Sequence, residues 1–143
     1  MLDCASHTDG ETVTVEIQIE GMDKVLKRLS EPRMREEMSV AMKESVHLMH
    51  YRMAIYPAPP PNSTYRRTGY LGRSWYTNIR SFSGDIQGYL ANRAPYKDYV
   101  QGLEQTAQHE ATGWKRIDRE YQAAKSAILQ LFKDALNRVA RGG

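Results

Sequence analysis

His47 and His50 stand three positions apart, close to one turn of a helix, and two imidazoles at that spacing can share a metal ion. No third ligand accompanies them, and no His-Glu-x-x-His pattern is present, so they read as surface histidines. His109-Glu110 with Asp118 would supply an acid and a base, but neither a nucleophile nor a glycine-rich phosphate loop goes with them. Gly69-Tyr70-Leu71-Gly72 lacks the lysine and the preceding strand of a phosphate cradle. Cys4 is the only cysteine, which excludes an internal disulfide and a cysteine-based zinc site. These residue types point away from catalysis: the expectation is no enzyme, no metal and no cofactor.

Recognition chemistry is better represented. Tyr65, Arg66, Arg67, Tyr70, Arg73, Trp75, Tyr76 and Arg80 interleave cations with aromatic rings. Such a mixture grips phosphates and stacks bases. It equally marks protein interfaces, where Tyr, Trp and Arg are enriched. No helix-turn-helix or zinc-finger pattern accompanies it, and the pI near 9.0 is modest for a dedicated DNA binder. An interface loop is therefore preferred to a sequence-specific DNA reader. Just before this segment runs Tyr56-Pro57-Ala58-Pro59-Pro60-Pro61, an extended tract suited to docking. The net charge of +3 hides a polar distribution. Residues 1–23 carry six acids and no Lys or Arg, while residues 52–84 carry five arginines and no acid. That asymmetry bears on partner choice more than on fold.

The elements that must position these residues are legible from periodicity. A chain of 143 residues suits one domain, with residues 1–11 expected to be flexible. Val13, Val15, Ile17 and Ile19 alternate with polar residues, as in a half-buried strand. Gly21 breaks it, and Met22 to Ser30 reads as a short helix. Pro32 opens a second helix whose Met34, Met38, Ala41, Met42, Ser45, Val46, Met49 and Met53 share one face. That stripe is a core surface by its period, although methionines also make adaptable partner surfaces. Pro57 ends the helix, and residues 56–67 form a long loop. Thr68 is placed to cap a short turn through Leu71 and Ser74. Trp75 to Phe82 and Ile86 to Asn92 read as a hairpin around Ser83-Gly84-Asp85. Pro95 starts a turn or short helix, and residues 102–113 carry no clear period. From Trp114 onward, Ile117, Tyr121, Ala124, Ile128, Leu131, Phe132, Ala135 and Val139 step by three and four. This predicts an amphipathic helix of about 27 residues, with Ile128, Leu131, Phe132 and Leu136 inward. No run of about 18 apolar residues is present, and the first residues lack the pattern of a secretory signal. The fold expected is α+β: a small, mainly antiparallel sheet packed by two long helices, with a projecting Pro-rich loop.

Two short motifs stand on this frame, Thr68-Gly69-x-Leu71-x-x-Ser74 and then Ala94-Pro95-Tyr96-x-x-Tyr99-Val100. In that order and spacing the chain resembles the neck or tail-completion proteins that connect head and tail in long-tailed double-stranded DNA bacteriophages. The resemblance covers most of residues 12–140 in element order and departs at two places. Many members have a shorter loop before Thr-Gly, and an acidic residue with Gly-Thr after Tyr-Val, where this chain has Gln101-Gly102-Leu103. The resemblance implies a structural virion protein of the head–tail junction, present in the host cytoplasm during assembly. It implies a homo-oligomeric ring, six-fold or alternatively twelve-fold, between the head connector and the tail. DNA would pass through the lumen, and neither cofactor nor membrane is implied. It also implies another strand or a loop within residues 102–113. On this view Arg66, Arg67, Arg73, Arg80, Tyr65 and Tyr70 face a partner or the DNA, and Pro57, Pro59, Pro60 and Pro61 dock. The other reading is a nucleic-acid-binding protein using residues 65–80.

Overall fold

The computed structural model describes residues 2–3, 13–19, 31–64, 67–82 and 85–142. The helix expected at Met22 to Ser30, the turn residues Ser83 and Gly84, and the candidate site residues Tyr65 and Arg66 lie outside the described residues. In chain order the elements are β1 (Leu2–Asp3), β2 (Val13–Ile19), α1 (Glu31–Met53), α2 (Tyr70–Arg73), β3 (Trp75–Phe82), β4 (Asp85–Asn92), α3 (Lys97–Gln101), α4 (Ala107–Ala111) and α5 (Ile117–Arg141).

The strands form one antiparallel sheet in the order β1-β2-β4-β3. The β3–β4 hairpin sets Trp75 opposite Asn92 and Phe82 opposite Asp85. On the other side of β4, Val13 of β2 faces Asn92 and Ile17 faces Gly88. Residues 2 and 3, expected to be loose, instead pair with Ile19 and Gln18. The physical reason is that the outer edge of β2 offers backbone groups in need of partners, and a short strand satisfies them.

Both long helices lie on this sheet, so the architecture is α+β with a small sheet. Every residue of the expected stripe on α1, from Met34 to Met53, is buried, and Ser45 is accommodated by donating its hydroxyl to Ala41 O at 2.7 Å. On α5, Ile117, Tyr121, Ala124, Ile128, Phe132, Ala135 and Val139 recur every three or four residues and meet that stripe. The helices run antiparallel. Arg138 near the end of α5 pairs with Glu37 near the start of α1, and Arg52 near the end of α1 pairs with Glu120 near the start of α5. Arg33 donates to the carbonyl of Gly142, which closes the C-terminal end of α5. Acids in the first turn of α5 and arginines in its last turn favour the helix dipole.

Helix α1 sits closest to the sheet over Gly88. A β-carbon there would come within 2.6 Å of both Met42 Sδ and Val46 Cγ2. The glycine is required by the approach of helix to strand, because Val46 is β-branched and has little freedom to yield.

Three expectations need correction. The last helix begins at Ile117, not Trp114, because Gly113 takes a positive φ of 89° and turns the chain, leaving Trp114 off the helix axis. Leu131 and Leu136 are only half-buried, since they flank the line of closest contact that Ile128 and Phe132 occupy. The stretch 102–113, for which a strand or loop is implied by the resemblance, contains the short helix α4, capped by Thr106 Oγ1 accepting from His109 N.

Candidate functional site

Past the end of α1 the chain leaves the core at Tyr56, and a second, smaller apolar cluster begins. Leu71, Ala94 and Val100 form it, with Tyr56 and Trp114 packed against them. Tyr56 and Trp114 hold their ring centroids 5.3 Å apart at 43°, and the Tyr56 hydroxyl oxygen accepts from Trp75 Nε1 at 3.0 Å. Burial raises the Tyr56 phenol above its ordinary pKa.

The two sequence motifs converge here. Gly69 caps α2 with a left-handed φ of 74°, which lets the helix start at Tyr70. Thr68 Oγ1 accepts from Tyr70 N at 3.3 Å, so it tethers the turn from one position before the cap. At the end of β4, fully buried Asn92 donates through Nδ2 to Leu71 O at 2.9 Å and accepts at Oδ1 from Ala94 N at 2.8 Å. One amide thus clasps Thr68–Ser74 to Ala94–Val100. Gln101 of α3 donates to Met53 O at 3.1 Å and satisfies a terminal carbonyl of α1. Gln105 joins α3 to the third wall, donating to Val100 O at 2.8 Å and Trp114 O at 2.9 Å.

The outcome is an aromatic cleft of about 340 Å³. Tyr56 and Trp114 line its inner part, and Tyr70, Tyr96 and Tyr99, all substantially exposed, line its rim. The Tyr70 and Tyr96 rings lie 6.4 Å apart. His109 meets Trp114 edge-on at 6.1 Å.

Of the expected contact residues, Arg67 and Tyr70 belong to this cleft. Arg67 stacks over Trp114 at 4.9 Å and donates from Nη1 to Pro57 O at 2.5 Å. Arg73 is exposed on α2 beside Gly69. Arg80 lies elsewhere, five residues along β3 from Trp75, roughly 17 Å at ~3.4 Å per residue, and stacks on Tyr89 at 5.3 Å. Arg67, Arg73 and Arg80 have no carboxylate partner among the described residues. Pro57 is half-buried at the foot of the loop, and Pro59, Pro60 and Pro61 are exposed. Tyr56, Asn92 and Trp114 were not apparent as site residues from sequence. Their only local signals are a tyrosine just outside a helix, an asparagine ending a strand, and a tryptophan following a glycine.

The titratable groups with catalytic spacing are engaged in other contacts. His47 is exposed, whereas His50 turns toward Trp75, and burial, then the neighbouring His47, lowers its pKa. Glu110 pairs with Arg119 at 2.5 Å and Asp118 with Arg116 at 2.5 Å. The hydrogen bond from each arginine holds its carboxyl below the ordinary range. Among the described residues no group of three His, Cys, Asp or Glu side chains is placed to hold a metal ion. No described helix is long and apolar enough to cross a membrane. No family model, curated protein or solved structure matches the chain.

Proposed function

We propose that this chain is a structural virion protein, a neck or tail-completion component that forms a ring between head connector and tail and lets DNA pass. The observation that carries the reading is the convergence of Thr68–Ser74 and Ala94–Val100. The two motifs that resemble the family are clasped by Asn92 and share one aromatic cleft at the foot of an exposed Pro-rich arm. A cleft walled by Tyr and Trp, beside a preformed projection, is built for recognising a protein surface. A head-to-tail contact uses two different patches on each copy, and a closing rotation turns such contacts into a ring. The chain works by docking, as a virion part of the head–tail junction.

Removing Pro59 to Ser63 tests this. The deletion is expected to leave the fold intact, because these residues are exposed and contribute nothing to either apolar cluster. Filled heads and tails should then accumulate unjoined. Tailed, infectious particles at normal yield, or virion images with no copies at the junction, would sink the proposal.

The nucleic-acid reading keeps one observation in its favour, the arginines without carboxylate partners. In the connector reading these groups act only electrostatically, since passing DNA must slide. Binding to unrelated duplexes should then be uniform and fall steeply with salt, and Arg73→Ala/Arg80→Ala should flatten the log–log salt slope by about 1–2. A preference for one duplex above about 10³-fold would promote the nucleic-acid reading instead.

A further inference from the structure

We infer that the aromatic cleft receives the Pro-rich arm of a second copy of this chain, so that arm and cleft are the two halves of the contact between neighbouring subunits. The inference rests on the self-assembly reading above and names its contact.

Residues 57–64 of the arm are held at the base and at the tip. Arg67 bonded to Pro57 O draws its two ends together. At its tip Ser63 N donates to Pro60 O at 3.1 Å. Pro61 and Asn62 are the central residues of that turn, and Asn62 has φ 65°. Proline first and a left-handed asparagine second is the chemistry of a type II turn. The tip is therefore set before it meets anything, which lowers the entropy lost on docking. From Pro57 to Pro60 the stalk extends roughly 9–10 Å at ~3.1 Å per residue. Tyr56 and Arg67 at the base line the chain's own cleft, but Pro59, Pro60 and Pro61 do not. The tip is thus outside the lining of the chain's own cleft and exposed, so it is open to contact by another molecule.

Cleft and tip match chemically. Residues 53–64 contain no charged side chain, so entering an apolar cleft strips no ion of water. Prolines lack the N–H that would otherwise be buried unpaired, and keep carbonyls that accept. The hydroxyls of Tyr70, Tyr96 and Tyr99 have no hydrogen-bond partner among the described residues and are available to donate to the carbonyls of Pro59 and Pro61, since those of Pro57 and Pro60 already accept from Arg67 and Ser63. Proline rings against Tyr and Trp faces are the established mode of polyproline recognition. The cleft volume of about 340 Å³ lies at the small end of ligand-sized cavities, which suits a turn tip and not a helix ~10–12 Å wide.

The test uses the full chain with Cys4→Ser throughout. One population carries Pro60→Cys and a second, distinguishable in mass, carries Tyr99→Cys; a short bismaleimide then links thiols in the mixture. A Pro60–Tyr99 heterodimer is expected. It should be absent when the second chain carries Leu129→Cys on exposed α5, and lost when Pro59→Gly and Pro61→Gly are added to the arm. No heterodimer, or equal linking to position 129, overturns the inference. A chain bearing both cysteines that links to itself at high dilution assigns the cleft to its own arm, which also overturns it. So does a single-stranded oligothymidine that quenches tryptophan fluorescence and abolishes the link, because the cleft then takes nucleic acid. Rings in virion images without the cross-link remove this contact and leave the ring. The cross-link without copies at the junction keeps the contact and removes the junction assignment.

Discussion

Phe132→Ala should destabilise the protein by about 3–5 kcal/mol, the range for truncating a buried phenylalanine. Its side chain is buried at the centre of α5, among residues that meet the methionine face of α1. Alanine is the best helix former, so the loss would come from packing and not from a weakened helix. With a urea dependence of ~1–3 kcal/mol per molar, the midpoint should fall by roughly 1–5 M. Leu129→Ala, on the exposed side of the same helix, should stay within about 0.5 kcal/mol of the unaltered protein. An unchanged midpoint for Phe132→Ala would mean that this face of α5 serves assembly.

The second large effect is expected at Asn92. Asn92→Asp keeps the oxygen that accepts from Ala94 N but replaces the donor to Leu71 O with a second oxygen. At neutral pH a fully buried carboxylate would face a carbonyl, at a cost of about 3–5 kcal/mol. Burial raises the folded-state pKa of that carboxyl above its unfolded value near ~3.9. The protonated acid can donate to Leu71 O, so the variant is least impaired below the unfolded pKa and loses stability as pH rises through the folded one. Urea midpoints of both proteins between pH 4 and 8 should therefore diverge with rising pH. A difference that stays flat across that range would mean the amide is not the clasp between the motifs.

The frame could be read from the sequence because its signals are periodic. The stripe from Met34 to Met53 and the steps from Ile117 to Val139 each state which face is buried, whatever they pack against, and the alternation from Val13 to Ile19 states a strand. The cleft was less accessible, because what builds it is neither periodic nor local. Asn92 binds Leu71 across 21 residues and Gln101 binds Met53 across 48, and no spacing rule links such pairs. Trp114 continues the helical step in sequence, yet one positive φ at Gly113 moves it from helix to cleft. The arginines were recognisable as a group, but a strand rise of ~3.4 Å per residue carries Arg80 away from Arg67.

The pairing of α1 with α5 also dictates a sequence of events during synthesis. The methionine face of α1 is complete at Met53, but Arg141, which closes its partner, follows 88 residues later. At ~5–20 residues per second, roughly 4–18 s pass before that face can be covered along its whole length. In the interval the β3–β4 hairpin can close by local contacts, and α1 can rest against it. Each ribosome thus holds out an apolar surface for seconds, and crowded translation of a highly expressed message would bring many such surfaces together.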